Sequence, residues 1–143
     1  MSPYAIEQLS VFIENKAGEL VAITSLLEAE SISLCSIMLA DSSEFALLRL
    51  LTPEAERAKE TLLAHGFVAQ SSYVFGVRIE NHVGSFNKVV KTLAAHHIDI
   101  NYTYTVNEKN DGIFMFKINQ AHFDVAMEVL LQNDITLISK DDL

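Results

Sequence analysis

Ile13-Glu14-Asn15-Lys16-Ala17-Gly18-Glu19-Leu20 returns 66 residues later as Ile79-Glu80-Asn81-His82-Val83-Gly84-Ser85-Phe86. The match extends on both sides. Val11 aligns with Val77 upstream, and Leu27, Ala29 and Ile32 align with Leu93, Ala95 and Ile98 downstream. After two extra residues in the second copy the offset becomes 68, and Ala58, Glu60, Leu62 and Leu63 align with Ala126, Glu128, Leu130 and Leu131. One gap aligns both halves, which marks an internal repeat.

Each copy reads alike. Gln8–Glu14 alternates, with Leu9, Val11 and Ile13 on one face, and Val77 and Ile79 repeat that pattern, as half-buried strands do. Leu20, Ile23 and Leu27 have helical spacing, as do Phe86, Val89 and Leu93. Second strands are predicted over Ile32–Leu39 and Ile98–Val106, and third strands over Phe45–Leu51 and Ile113–Ile118, with turn residues between. Ala55, Ala58 and Leu62 mark a second helix after Pro53, closed by His65-Gly66. Its counterpart uses Phe123, Ala126 and Leu130 and ends near Asn133-Asp134; last strands begin at Phe67 and Ile135. The order β-α-β-β-α-β, twice, predicts an α+β chain of two ferredoxin-like units, each an antiparallel sheet with both helices on one face. The expected division is 1–71 and 72–143, with almost no linker.

The totals restrict the function. The formal charge is −9, from 19 acidic and 10 basic residues, and such a surface repels phosphate backbones, so no nucleic-acid partner is expected. The start lacks the basic-then-apolar order of a signal peptide, and no apolar run approaches a membrane span. A cytoplasmic protein with no membrane association is the expectation. Cys35 is the single cysteine, which rules out an intrachain disulfide and a multi-cysteine metal cage.

The chemistry concentrates in the repeated loop. Asn hydrogen-bonds its own turn, Gly permits a sharp bend, and the following helix begins with unpaired amides that suit a carboxylate. Standing alone, Asn-x-x-Gly is also ordinary turn chemistry. Its recurrence at the same place in two βαββαβ units resembles the ACT domain, a small ligand-binding module attached to many enzymes of amino-acid metabolism. The family pattern is a strand, Asn or Asp, two residues, Gly, then an apolar residue; here Ala17 and Val83 replace the usual Pro before Gly. The resemblance covers nearly the whole chain, which looks like the stand-alone tandem ACT proteins, a group that carries no catalytic domain.

That resemblance implies a non-catalytic protein that binds or senses a free amino acid or similar small zwitterion. It places the ligand where ACT units meet, with their sheets paired edge to edge. The loop residues carried over by position are Asn15, Lys16, Ala17, Gly18, Glu19 and Leu20, and Asn81, His82, Val83, Gly84, Ser85 and Phe86. The polar position at the start of the second strand is Ser33 in one copy and Asp99 in the other, and Asn101 follows on the same strand. Gly18 or Gly84 amides are then expected to hold the carboxylate and Asp99 to accept from the ammonium. Tyr102 and Tyr104 either wall the pocket or line a contact between sheets.

No catalytic or metal-binding constellation, and no cofactor site, is expected. His96-His97 falls at a helix end, where it suits the last carbonyls better than a metal. Cys35 has no activating partner in sequence and reads as a small apolar residue. A homodimer is expected from open sheet edges, and any regulated partner protein is not identifiable. The alternative reading is an interaction or regulatory-subunit module that binds no small ligand.

Overall fold

The computed structural model describes residues 2–14, 16–41, 45–80, 82–106 and 112–143. These divide into two units: Glu7–Ser72, and Tyr73–Asp142 together with residues 2–6. In the first unit the elements are β1 (Ile6–Glu14), α1 (Glu19–Ala29), β2 (Ser36–Asp41), β3 (Phe45–Leu51) and α2 (Ala55–Ala64). Strand β4 (Val68–Ile79) is continuous across the division. Helix α3 (Ser85–Ala95), strands β5 (Ile100–Val106) and β6 (Gly112–Ile118), helix α4 (Phe123–Gln132) and β7 (Thr136–Ile138) follow. The β-α-β-β-α-β order thus occurs twice.

In the first unit β3 lies between β1 and β2, antiparallel to both. Its registers set Leu9 beside Leu50, Val11 beside Leu48 and Ile13 beside Ala46. These residues meet Ile23 and Leu27 of α1 and Ala58 and Leu62 of α2 in one aliphatic core, so both helices cover the same face. The start of β4 joins this unit through Ser71 Oγ, which donates to Glu7 (2.7 Å), and Gln8 Nε2, which donates to Ser72 Oγ (3.2 Å). In the second unit β4 pairs with β6 and β7, and β5 pairs with β6, all antiparallel. Here the core is aromatic. Phe75 and Phe116 are cross-strand partners stacked at 5.4 Å, and Phe123 meets Phe75 edge-on at 5.9 Å. Tyr4 and Ala5 pack against this second core, which ties the N-terminal residues to it.

The helices share a stop signal that explains a difference from the sequence reading. Each of the four described helices ends at a left-handed residue: Ser31 (φ 55°), Gly66 (φ 85°), His97 (φ 57°) and Asp134 (φ 59°). The next residue is apolar, and its N–H returns to a carbonyl in the helix. Ile32 donates to Leu27, Phe67 to Leu62, Ile98 to Leu93 and Ile135 to Leu130, all at 2.9–3.1 Å. These are Schellman caps with their hydrophobic contact. Ile32 and Ile98, expected to open the second strands, are therefore buried capping residues, and those strands begin later, at Ser36 and Ile100.

An L-residue in the left-handed region costs about 1 kcal/mol relative to glycine. His97→Gly should therefore raise stability by roughly that amount and Gly66→Ala should lower it by a similar one, read as opposite shifts of the urea midpoint. Destabilisation by His97→Gly would mean that the imidazole makes a contact outweighing the backbone strain.

Candidate functional site

The two Asn-x-x-Gly loops fold alike because their backbones hydrogen-bond alike. Lys16 N–H donates to the Glu14 carbonyl and His82 N–H to the Glu80 carbonyl, each at 2.9 Å. Gly18 (φ 92°) and Gly84 (φ 90°) then cap α1 and α3 in the left-handed region. A Cβ built on either glycine meets nothing within 4 Å, so the backbone angle, not crowding, calls for glycine here. Asn15 and Asn81 lie outside the described residues.

Around these similar backbones the side chains differ. In the first loop Lys16 Nζ sits 2.8 Å from Glu14 Oε2 and 4.0 Å from Glu19 Oε1. The hydrogen bond and the charge of Lys16 hold the Glu14 carboxyl below its ordinary range, and the same contact raises Lys16. Ala17 and Gly18 are exposed. In the second loop His82 lies 3.9 Å from Glu80 and contacts the Ser85 hydroxyl, while Val83 projects wholly into solvent. Phe86 packs one side of its ring against Phe114 (4.9 Å) and Phe116 (5.8 Å) and remains 36% exposed. Leu20, its counterpart, is exposed to the same degree.

A cavity of about 490 Å³ adjoins the second loop. Ile79, Val89 and Ile135 contribute apolar walls, and His82, Gly84 and Ser85 supply the loop side. Lys88, one turn into α3, and Glu80 and Asp134 bring charges of both signs to the rim. That volume lies within the range of small-molecule sites, and mixed charge at an apolar hollow suits a small zwitterion. Lys88 and Asp134 did not stand out in the sequence. Only the folded contact between the β4–α3 loop and the α4–β7 junction brings them to one place.

The expected ammonium acceptor lies elsewhere in the second unit. Asp99 is exposed beside His97 and Ile98 in a separate hollow at the far end of α3. Helix α3 has 11 residues, which at ~1.5 Å rise each puts its ends roughly 16 Å apart. Gly84 and Asp99 of the same unit therefore stand apart, which does not bear on the family arrangement, where the loop of one unit faces the second strand of its neighbour. Ser33 is exposed at the corresponding end of α1, and Asn101 is exposed at an irregularity in the β5–β6 register, beside Tyr102. Tyr102 and Tyr104 stack on one another at 6.4 Å.

Other candidate groups have local explanations. His96 Nδ1–H donates to the Thr92 carbonyl and His65 Nδ1–H to the Thr61 carbonyl, each 2.9 Å, and so each ring caps its own helix end. Burial pushes the half-buried Cys35 thiol up, away from the reactive thiolate. Among the described residues no group of three or more His, Cys, Asp or Glu is arranged to hold a metal ion, and no helix is long and apolar enough to cross a membrane.

Comparison with known proteins identifies the family. The family model for the ACT domain pair matches residues 4–143. The chain belongs to the ACT domain pair family. Among solved structures, this ACT pair superposes on a protein from Bacteroides thetaiotaomicron with a TM-score of 0.91 at 28% identity, covering 99% of this chain and 97% of that one. The ligand-free regulatory subunit of aspartate kinase from Thermus thermophilus follows with a TM-score of 0.63 at 15% identity, covering 88% and 91%. The corresponding subunit from Thermus flavus has a TM-score of 0.61 at 19% identity, covering 88% and 90%. At those identities the Thermus likenesses are likenesses of fold. No curated protein sequence matches the chain.

Proposed function

We propose that this ACT pair is a non-catalytic cytoplasmic sensor of a free amino acid. The observation that carries the reading is the cavity beside Gly84, which offers an apolar hollow and both signs of charge at a repeated Asn-x-x-Gly loop. The fold it shares with the regulatory subunits of Thermus aspartate kinase is consistent with regulation rather than turnover. The loop residues His82–Ser85 form the binding edge, completed in the family manner by a neighbouring ACT unit or closed within the second unit. Binding shifts the protein toward the arrangement with higher affinity for the ligand, and a partner protein or a second copy reads that shift.

The second copy has a place to dock. Strand β2 pairs with β3 along one side, and its Ile37 (45% exposed) and Leu39 (49% exposed) stand on one sheet face, opposite Leu50 and Leu48. An edge strand with exposed apolar side chains is managed by pairing, which supports a homodimer.

The test is thermal melting against each of the twenty amino acids. A ligand at ten times its Kd should add about 1.4 kcal/mol to stability, a shift of several degrees in a domain of this size. One or two amino acids should raise Tm, and Gly84→Ala, which disturbs the loop angle, should remove the response. A protein that responds to none of the twenty yet is a dimer by light scattering would be an interaction module instead.

A further inference from the structure

We infer that two copies of this chain join through their first units, β2 pairing antiparallel with the partner's β2 about a two-fold axis at Met38. This rests on the homodimer reading above and fixes the surface and the register that it uses. At this register Ile37 of each copy stands directly opposite the partner's Leu39, so the same apolar pair forms twice on one sheet face.

The first ground is the contrast between the repeats. Strands β2 and β5 each end a strand order, β2 beside β3 and β5 beside β6. At the offset of 66, Ile37 and Leu39 correspond to Thr103 and Thr105, which face Phe116 and Phe114 as the first pair faces Leu50 and Leu48. All four edge residues are exposed. The helices differ in the same sense. Val21, Ala22 and Ser25, exposed on α1, correspond to the exposed Asn87, Lys88 and Lys91 on α3. The second unit builds the same fold with polar residues at these places, so folding does not account for the apolar ones in the first.

The two edges are also protected differently. The β5–β6 register breaks between Ile100 and Tyr102, and such an irregularity blunts an edge strand. The β2–β3 register runs unbroken from Ser36 to Asp41, and β2 contains neither lysine nor proline.

Charge identifies the occupant. The chain carries −9 with 20% of its residues charged, yet residues 20–27 and 31–40 include no charged side chain. Copies of one acidic chain repel where charged surfaces meet, and an isologous interface sets each patch against itself. A neutral apolar strip lets two copies meet without that repulsion, and it offers no charge by which a different acidic or basic partner would be selected. Helix α1 extends the strip. Strands β1 and β2 run the same way, both antiparallel to β3, so α1 returns between them and its first turn lies at the Leu39 end of β2, with Leu20 and Val21 exposed.

Light scattering of the full chain and its variants tests this. The wild type should be a dimer. Leu39→Glu sets a carboxylate against the partner's Ile37 twice per dimer and should raise the dimer Kd roughly a hundredfold or more. Its circular dichroism should be unchanged, because the residue is exposed within its own chain. Thr105→Glu, the aligned change in the second unit, should leave the dimer intact. A second measurement reads the register. Met38→Cys, made together with Cys35→Ser, should link the two chains by a disulfide on mild oxidation, since opposed residues of antiparallel strands have Cα atoms about 4.5–5.5 Å apart, within disulfide reach. Tyr104→Cys in the same background, at the aligned position of β5, should not. A dimer that survives Leu39→Glu, or that Thr105→Glu dissociates instead, overturns the inference and leaves the homodimer reading in place. A monomeric wild type overturns both.

Discussion

Phe116→Ala should lose about 3–5 kcal/mol of stability, the range for emptying a buried aromatic site that cannot collapse. Phe116 is fully buried at the centre of the second core. Its ring stacks on Phe75 at 5.4 Å with 15° between planes, and on Phe86 at 5.8 Å with 17°. Phe75 in turn holds Phe123 of α4 edge-on. Removing the middle ring takes contacts from β4 and α3 directly and loosens the packing of α4. Aromatic pairs add roughly 0.5–1.5 kcal/mol each beyond area burial, so the cost should fall in the upper half of the range. Phe116→Leu, which keeps most of the volume, should cost under about 1.5 kcal/mol. Urea unfolding followed by circular dichroism reads both. A loss below 1 kcal/mol for the alanine variant would mean that the rings repack and that the stack is not what holds α3 and α4 to the sheet.

The counterpart in the first unit is Leu50, which pairs with Leu9 on the helix-covered face as Phe116 pairs with Phe75. The repeat was legible because both copies keep the apolar positions that face the helices, and those positions alone specify β-α-β-β-α-β. What fills them was not constrained to match, hence one aliphatic core and one aromatic core. Helix ends were legible at Gly66, at His96-His97 and at Asn133-Asp134, and silent at Ser31, which adopts the same left-handed angle without a compositional sign. The apolar residue after each such stop, Ile32 or Ile98, looks like the first residue of a strand because capping and strand pairing both bury it. Residue type alone does not separate these two causes of burial.

The candidate site divides in the same way. Gly18 and Gly84 were readable since a left-handed turn between strand and helix favours glycine. Phe86 carried over from the loop pattern as a ligand contact; its ring packs on Phe114 and Phe116 while 36% of the residue faces solvent. Asp134 is some 50 residues from Gly84 in sequence, and in isolation an Asp after Asn at a helix end is turn chemistry. Only tertiary folding puts it beside Lys88. Charges that converge from distant segments carry no periodic signal, which is why the site is harder to read than the fold.

Gly76→Val should cost about 3 kcal/mol, at the upper end of what overpacking a close contact does. Gly76 lies within β4 between Met115 of β6 and Ile138 of β7, its register partners on either side. A Cβ at this position would stand 2.6 Å from Ile138 Cγ1 and Cδ1 and 2.9 Å from Met115 Sδ. Favourable carbon contacts begin near ~3.5 Å, so a neighbour must move by roughly 1 Å. Met115 is unbranched and adapts; Ile138 is stiff at its branched Cβ and belongs to a strand of only three residues. The strain therefore falls on β7, which pairs with β4 at Gly76, Val77 and Arg78. Glycine within a strand sacrifices packing and entropy, and close approach of a neighbour is a recognised reason for it. The aligned residue of the first copy is Ser10, which carries a side chain in β1, so the close approach belongs to the second unit. Gly76→Ala should cost about 1–3 kcal/mol. Combined with Ile138→Ala it should cost less than the sum of the two single changes by roughly 0.5–3 kcal/mol, because the second substitution vacates the space that the first one needs. Faster amide exchange along Thr136–Ile138 in the single variant, slowed again in the double, would locate the strain in β7. Strict additivity would instead place it in Met115 and β6.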